Sequence, residues 1–364
     1  MFHMKSINAC LSRFGADATV NLRTFRLEVR ARNRYYHFVP QFIYLDGEKL
    51  HFSPQLPGNV RGFIGWLPYF NKRWPLATDK LAFKGFCNAA GLPTPRGWEK
   101  PSESVRDFII KQRTSSFGYG IRGPFRKLDA GHPAHKIEDR EYCEHFVAGT
   151  IAKAWYWNDK PVCLELRKMP TITGNGVDTM LQLASPKILS LFGLPLEHRE
   201  IEALAQYQDA SLDTVIPAGT TLLADFRYSS PLIQTTAQNQ NVLSENLGNE
   251  IGRQFVEAGP TLWQGIPEDI RAATAFTVDA IVDDKNRVWF LEMNCNPILH
   301  PDVYLPMFET LFGPAEEGVA QPARPASLQL PEQSGQPRPS MGPPFVAQPF
   351  APVSGGPAPV AAKL

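Results

Sequence analysis

Alternation of apolar and polar residues predicts two short β structures near the start of the chain. Apolar residues at positions 25, 27, 29 and 31 alternate with threonine, glutamate and arginines, which is the period of a half-buried strand with a basic outer face. That face could bind an anionic substrate or be solvated, and solvation is the simpler interpretation. Further on, the segment FIYLDGEKLHF has Asp46 and Gly47 between two apolar-rich arms and predicts a β-hairpin.

The segment from Thr78 to Ala90 predicts a helix. Its apolar residues at positions 81, 83, 86 and 87 lie on one side of a helical wheel, and Gly91 follows as a C-terminal stop before two prolines. We therefore expect a small N-terminal unit over residues 1–77 and a main body that begins at residue 78.

A second hairpin is predicted within residues 276–297. Val278–Val282 and Val288–Met293 have the composition of strands, and the polar segment DDKNR lies between them. The simplest register places Lys285 and Asn286 at a two-residue turn.

In this register Asp279 lies directly opposite Glu292. The apolar residues at positions 278, 280 and 282 then share a face with those at 289, 291 and 293, while Asp279, Glu292, Asn294 and Asn296 project from the other face. Opposed like charges repel unless a cation lies between them. Two carboxylates and an amide are hard oxygen donors that suit Mg²⁺. The alternative is an exposed polar sheet face that carries its acidic residues by chance.

A third signal is the segment FIIKQRTSSFGYGIRG, in which an apolar strand runs into Lys111. The loop that follows contains Ser115, Ser116, Gly118 and Gly120, and small residues let backbone N–H groups approach an anion closely. The loop matches neither the P-loop nor the Rossmann glycine pattern, so an ordinary turn is the alternative.

Composition narrows the possible partners and compartment. The 364 residues have a formal net charge of +1, so no long-range field attracts nucleic acid or an anionic membrane. Five cysteines without a C-x-x-C pair predict neither a disulfide framework nor a zinc site. No apolar run is long enough for a spanning helix, and the first residues lack the apolar core of a secretory signal. We expect a cytoplasmic protein, and the oligomeric state stays open.

The last 51 residues differ from the rest, because they hold 12 of the 33 prolines. A mixture of Pro, Gln, Ala and Gly cannot bury enough surface to offset the entropy of ordering the chain. We therefore expect a disordered tail over residues 314–364. A polyproline ligand for a partner's groove is the alternative.

In this order, the motifs over residues 78–305 resemble those of the ATP-grasp superfamily. In this chain Asp79 and Lys80 open a helix that ends in Ala-Gly-Leu-Pro-Thr-Pro, which resembles the corresponding helix of that family. Lys111 and the following glycines resemble the flexible loop over the ATP phosphates. The segment EHFVAG at 144–149 is similar to the link between the two halves of the fold, where an acidic residue and backbone groups hold adenine. Within the superfamily, MPTITGNGVDTMLQL and DTVIPAGTTLLADFRYSS most resemble cyanophycin-synthetase and glutathione-synthetase-like ligases.

The resemblance implies an α+β ATP-grasp fold in which two α+β subdomains clamp ATP, with a short N-terminal unit at 1–77, the ATP-grasp domain at 78–313 and the tail at 314–364. It implies ATP and Mg²⁺ as cofactors, and small-molecule carboxylate and amine substrates joined through an acyl-phosphate with release of ADP. The implied site residues are Arg167 at the phosphates as the catalytic residue; Lys80, Lys111, Ser115, Ser116, Gly118, Gly120, Glu144 and Val147 on ATP; and Asp279, Glu292 and Asn294 on the metal.

Three positions depart from the family pattern. Gln112 stands where the family usually has proline, Ile151 stands where an acidic residue holds the ribose, and residues 227–231 differ from the expected substrate segment. A nucleotide-binding regulator without turnover is therefore the alternative function. The Asp279, Glu292 and Asn294 set favours the enzyme, and Ile151 favours the regulator.

Overall fold

Three antiparallel sheets and one short ribbon organise the computed structural model. It describes residues 3–46, 49–101, 104–115, 120–129, 131–132, 135–184, 198–227 and 241–314, which all lie in one compact unit. Apart from Pro314, the predicted tail lies outside the described residues. The boundary at residue 77 stays a prediction. No helix in the described ranges is long and apolar enough to cross a bilayer.

The first sheet belongs to the N-terminal part of the chain. Helix α1 (His3–Leu11) and a 3₁₀ turn (Ser12–Phe14) precede strands β1 (Asp17–Val20), β2 (Leu27–Ala31), β3 (Arg34–Asp46), β4 (Lys49–Ser53) and β5 (Val60–Leu67). The sheet order is β1-β2-β3-β4, and β5 also pairs with β3. Asp46 is paired with Lys49, which confirms the first predicted hairpin.

The second sheet follows a 3₁₀ turn (Pro75–Ala77) and helix α2 (Lys80–Ala89). Its strands are β6 (Gly97–Trp98), β7 (Arg106–Gln112), β8 (Arg122–Lys127) and β9 (Glu141–His145), in the order β6-β9-β7-β8. The carboxylate of Asp79 accepts from two backbone N–H groups at the start of α2, and Gly91 beyond its end has φ of 72°. The predicted helix is confirmed over Lys80–Ala89, where Asp79 is the N-cap and Gly91 is the predicted stop.

The third sheet carries the predicted acidic pair. Strands β10 (Thr150–Trp157) and β11 (Lys160–Lys168) are followed by the ribbon of β12 (Thr171–Thr173) and β13 (Thr221–Leu223), and then by β14 (Ala275–Val282) and β15 (Val288–Asn294). The sheet order is β11-β10-β14-β15. The remaining helices are α3 (Met180–Ala184), α4 (His198–Tyr207), α5 (Leu243–Asn246), α6 (Glu250–Gln264), α7 (Glu268–Arg271) and α8 (Tyr304–Phe312), with a 3₁₀ turn (Pro301–Val303) before α8. The predicted mixed α+β class is confirmed.

One face of the third sheet is apolar and packs against α6 and α2. Residues from all four strands form a core with Phe255 and Leu262 of α6 and Phe83 of α2. Because side chains alternate across a strand, this packing leaves the opposite face for polar groups. At one end, Trp155 and Ala275 join the core of the N-terminal sheet.

The N-terminal sheet is joined tightly to the segment that follows β15. At Gly65, where φ is 125°, a Cβ atom would lie 2.7 Å from a methyl carbon of Leu299 and 2.9 Å from the Tyr304 hydroxyl. Only glycine permits this approach. The guanidinium of Arg32 donates to the carbonyl oxygen of Phe312 at 2.8 Å and so satisfies the C-terminus of α8.

His3 gives this N-terminal packing a pH dependence. The Tyr304 hydroxyl accepts from the backbone N–H of Trp66 at 3.1 Å and is hydrogen-bonded to His3 Nδ1 at 2.9 Å. The other ring nitrogen, Nε2, is buried and has no hydrogen-bond partner among the described residues. Burial lowers the pKa of His3 from 6.5 to about 4.

We predict that stability is complete above pH 6.5 and falls as the pH is lowered from 6.5 towards 4, because the unfolded chain binds a proton that the folded chain excludes. The loss attributable to His3 should reach about 2–3 kcal/mol. Urea unfolding at several pH values measures it, and the His3→Phe variant should lack this part of the pH dependence. An equal slope in both proteins would contradict the prediction.

Candidate active site

The hairpin of β14 and β15 brings the two predicted acids together. Asp279 is paired with Glu292, as the alternation predicted. The turn, however, is not the predicted two-residue turn at Lys285 and Asn286. Asp283 N–H donates to the Arg287 carbonyl at 3.0 Å, which closes a three-residue loop, and Asn286 has φ of 61°. Asparagine tolerates this left-handed conformation, and a loop of this length requires it.

An extra residue in β15 restores the register of the acidic pair. Asp279 is paired with Glu292 but the next residue, Ala280, is paired with Phe290, so Leu291 is a bulge. Two face assignments were therefore wrong, since Val288 and Phe290 lie in the core and Trp289 and Leu291 do not. Leu291 instead packs against a separate apolar cluster that includes Ile151 and Ile281.

A row of four charged residues crosses the polar face of the third sheet. Glu165 on β11 is paired with Lys153 on β10, Lys153 with Asp279 on β14, and Asp279 with Glu292 on β15. All four side chains point to the same face, because directly paired residues in a sheet do so. The sheet therefore presents three carboxylates and one lysine in a line.

Glu292 is held by a lysine from the other half of the site. Lys80 Nζ, at the start of α2, lies 2.9 Å from Glu292 Oε2 and also donates to the Ser115 carbonyl at 2.5 Å. Burial alone would raise the pKa of Glu292, but Lys80 and then Lys111 outweigh it and lower the pKa to about 2. Glu292 is therefore ionised at any physiological pH.

Asp279 is held by Lys153 and Asn294. Lys153 Nζ lies 2.5 Å from Asp279 Oδ1, and the Asn294 amide nitrogen donates to Asp279 Oδ2 at 3.1 Å. Burial and the neighbouring charge of Glu292 raise the pKa of Asp279 despite Lys153. The two opposed acids thus differ in proton affinity, and each is compensated by its own lysine.

Lys84 of α2, Lys111 of β7 and Glu144 of β9 form a buried ionic triad. Glu144 is 1% exposed, and its two oxygens contact Lys84 Nζ at 2.6 Å and Lys111 Nζ at 2.9 Å. The Tyr142 hydroxyl donates to the same carboxylate at 3.1 Å. Burial would raise the pKa of Glu144, but the charges of Lys111 and Lys84 outweigh burial and lower this pKa. Burial would lower the pKa of Lys111, but the charge of Glu144 raises it. For Lys84, burial and the charge of Lys111 together lower the pKa.

The other predicted site residues are distributed around this centre. The Ser115 hydroxyl lies 3.3 Å from Lys80 Nζ, and Gly120 has φ of 72°. Val147 packs against the apolar cluster around Ile151 and Met169. Arg167 lies at the edge strand and pairs with Glu165 at 2.6 Å. Ser116 and Gly118 lie outside the described residues.

The donor chemistry of Asp279, Glu292 and Asn294 fits Mg²⁺. In the described ranges, no three histidine, cysteine or carboxylate side chains come together to hold a metal. A metal here depends on two carboxylates and one amide oxygen, a set of hard donors that Mg²⁺ accepts while it keeps ligands from phosphate and water. Asn294 already contacts Asp279, so the three groups converge on one face.

Sequence reasoning missed Lys84, Lys153 and Glu165. Lys84 follows Lys80 by one helical turn, which indicated a shared face. Lys153 is the single charged residue of β10, and Glu165 is the single acidic residue of β11 and lies at a buried position. A charged side chain among buried strand positions is costly unless it is paired, so each of these residues indicated a charged partner on a neighbouring strand.

Lys153 is predicted to stabilise the acidic pair. The Lys153→Met variant should lose about 2–4 kcal/mol of stability, because Asp279 would remain beside Glu292 without its cation. A divalent cation can replace that charge, so Mn²⁺ should raise the melting temperature of the variant more than that of the parent. Lys160→Met, at an exposed position of the neighbouring strand, is the control. Equal melting temperatures for both variants would refute the prediction.

Comparisons with known proteins return structural likenesses only. No protein-family model matches the chain, and no curated protein sequence matches it. The similar solved structures include a bifunctional glutathione synthetase from Pasteurella multocida, at 17% identity and a TM-score of 0.35, with 82% of this chain and 41% of that chain covered. D-alanine–D-alanine ligase from Bacillus anthracis is similar at 12% identity and a TM-score of 0.34, with 65% of each chain covered.

A protein described as a putative ATP-grasp superfamily member from Archaeoglobus fulgidus is similar at 12% identity and a TM-score of 0.29, with 64% of this chain and 49% of that chain covered. The chain thus spans about half or less of the length of some of these proteins. TM-scores below 0.5 do not assign an activity, which depends on the side chains of the site.

Proposed function

We propose that the protein is an ATP- and Mg²⁺-dependent carboxylate–amine ligase that works through an acyl-phosphate. The observation that carries the proposal is the convergence of two opposed carboxylates, Asp279 and Glu292, with lysines from the other half of the site. Lys80 contacts Glu292 directly, and Lys111 lies close enough to lower the pKa of Glu292. Carboxylates for a metal and lysines for phosphates are the groups that phosphoryl transfer needs.

The lysines would hold and orient the triphosphate. Lys80 is fixed by the helix start and by the Ser115 carbonyl, and Lys111 is fixed by Glu144. Because both ammonium groups are buried and already positioned, little side-chain entropy is lost when they meet phosphate oxygens. Ser115 and Gly120 flank the loop predicted to cover the phosphates.

Mg²⁺ held by Asp279, Glu292 and Asn294 would neutralise charge on the phosphate oxygens. The carboxylate substrate would take the γ-phosphoryl group, with ADP as the leaving group. An amine would then attack the acyl carbon: the C–N bond forms, the C–O bond to phosphate breaks, and phosphate departs with the electron pair. Arg167, near the edge of the same face, is proposed to contact the transferred phosphate.

The apolar cluster around Ile151 supports placing adenine at this end of the sheet. Val147, Met169, Phe226 and Leu291 pack there beside Ile151. Val147 belongs to the segment after Glu144, and these apolar side chains are proposed to contact the base. No carboxylate at position 151 is available to hold the ribose hydroxyls. The same observation favours the second candidate, a regulator that binds ATP without turnover.

An ADP-release assay tests the proposal. The protein with Mg·ATP is supplied with pairs drawn from the amino acids and small carboxylic acids, and Glu292→Gln serves as the blank. ADP and phosphate released with one pair, and absent without Mg²⁺, would support the ligase. ATP bound with micromolar affinity and no product from any pair would favour the regulator.

A further inference from the structure

One arginine near the proposed site has no acidic partner. The other basic residues considered for the site each contact a carboxylate. These ion pairs are Lys80–Glu292, Lys111–Glu144, Lys153–Asp279 and Arg167–Glu165. Arg73 differs, because in the described part of the chain no acidic side chain forms an ion pair with it. An arginine without a carboxylate of its own is suited to bind the carboxylate of a ligand.

Arg73 is tied to the segment that follows strand β15. Its Nε–H donates to Asn71 Oδ1 at 3.2 Å, and the side-chain amide of Asn296 donates to the same oxygen at 2.9 Å. The proposed metal ligand Asn294 precedes Asn296 by two residues, a span of about 7 Å along an extended chain. Arg73 therefore lies beside the end of the proposed metal site, at a distance that a small substrate with two functional groups can span.

The side chain of Arg73 points away from the core beneath β15. The next residue, Trp74, has extended backbone angles, and its indole N–H donates to the Met293 sulfur at 3.2 Å inside that core. Successive side chains of an extended segment point to opposite sides, so Arg73 lies on the outer side. Cys295 packs in the same core, which leaves its neighbour Asn296 on the side of Arg73.

A ligand can reach Arg73 and the acidic pair from solvent. Arg73 is exposed, and the side chains of Asp279 and Glu292 are 17% and 18% exposed. Asn71 holds only the Nε–H of Arg73, and within the described ranges its two terminal NH₂ groups have no hydrogen-bond partner. These groups present the paired N–H donors that match the two oxygens of a carboxylate. Because Asn71 already orients the guanidinium, less side-chain entropy is lost when a ligand binds.

We propose that Arg73 binds a substrate carboxylate other than the one that reacts, an inference that rests on the proposed ligase function. The reacting carboxylate must lie at the metal and the phosphates, and it ceases to be a carboxylate when it takes the phosphoryl group. A second carboxylate keeps its charge throughout, so a guanidinium can hold it before and after this step. The substrate class is an acid or an amine with an additional carboxylate, that is, a dicarboxylic acid or an amino acid. Arg73 is then a specificity-determining residue.

The test measures ADP release with the most active substrate pair of the panel and with its analogue in which the additional carboxylate is an amide. In the parent, the amide should raise the substrate KM by about 10- to 100-fold, as expected for the loss of a charge-assisted pair. Arg73→Met should raise the KM of the charged substrate by a similar factor, and should leave kcat, the KM of the amide analogue and the KM of ATP unchanged. Arg73→Lys, which keeps the charge but not the planar fork, should recover part of the loss.

Hydroxylamine in place of the amine identifies the substrate that carries the additional carboxylate. If the KM of the acid still rises in Arg73→Met, the carboxylate belongs to the acid. If the KM rises only when an amino acid is the amine, the carboxylate belongs to the amine substrate. Arg61→Met is the matched control, because Arg61 is also exposed but lies on β5 of the N-terminal sheet. Both Met variants should melt within about 1 °C of the parent, since exposed substitutions change stability little.

Three results would overturn the role of Arg73 while leaving the ligase intact. The first is a substrate KM that is equal in Arg73→Met and in the parent. The second is a most active pair in which neither substrate has an additional carboxylate. The third is a melting temperature that falls in Arg73→Met but not in Arg61→Met, with equal losses for the charged substrate and its amide, which would show a structural role. A parent that releases no ADP with any pair would overturn the ligase function and this inference together.

Discussion

Replacing Glu292 with glutamine should reduce Mg·ATP turnover by about 100- to 1,000-fold or more, because the change removes one charge from the proposed metal site at nearly constant volume. Stability should fall as well, by about 1–3 kcal/mol. Relief of the repulsion from Asp279 would raise the stability. Lys80 would lose its carboxylate partner, however, and we expect the loss of this ion pair to outweigh the gain.

The pH dependence checks the same residue. The pKa of Glu292 is lowered from 4.5 to about 2, so its contribution to stability is present above pH 4.5 and is lost as the pH falls towards 2. The Glu292→Gln variant should lack that loss. Glu141→Gln is the control, because Glu141 also forms an ion pair, with Arg122 at 2.6 Å, but lies outside the proposed site. Parental turnover in Glu292→Gln would exclude Glu292 as a metal ligand.

Replacing Glu144 with glutamine should have the largest effect on stability, about 3–5 kcal/mol, because it leaves two buried lysines without their shared carboxylate. Lys84→Met should cost less, since it leaves Lys111 and Glu144 as a balanced pair and removes a charge that burial already disfavours. Urea unfolding of both variants gives the comparison. If Glu144→Gln loses no more stability than Lys84→Met, the idea that Glu144 compensates two buried lysines would be contradicted.

The triad also changes the expected effect of substituting Lys111, which lies in β7 just before the glycine-containing loop. A lysine at the start of a glycine-containing loop is expected to be exposed, and its removal should then spare the fold. Lys111 is only 5% exposed and contacts Glu144. Lys111→Ala should therefore lower both activity and stability, so its kinetics must be measured well below its melting temperature.

The face that carries Asp279 and Glu292 could be predicted from sequence because side chains alternate strictly along a strand. The predicted turn was one residue too short, but Asp279 and Glu292 are still paired on the same face, because the bulge at Leu291 restores the register. The bulge itself could not be predicted. It depends on Asn286 taking a left-handed conformation and on how Leu291 packs against Ile151 and Ile281.

The lysine partners of the acids required knowledge of strand order. Lys153 meets Asp279 only because β10 lies next to β14, although more than a hundred residues separate them. Helical spacing indicated that Lys84 shares a face with Lys80, but it did not indicate that β9 would place Glu144 opposite that face. Local patterns predicted which groups point the same way, and long-range pairing determined which groups meet.

The most direct test of the ligase function is the fate of ATP when hydroxylamine replaces the amine. With Mg·ATP and the matching carboxylate, the parent should yield ADP, phosphate and the hydroxamate of that acid, and Glu292→Gln should yield none of them. Product masses give the answer. AMP and pyrophosphate in place of ADP would show that the acid is adenylated, and would contradict phosphoryl transfer at the Asp279 and Glu292 face.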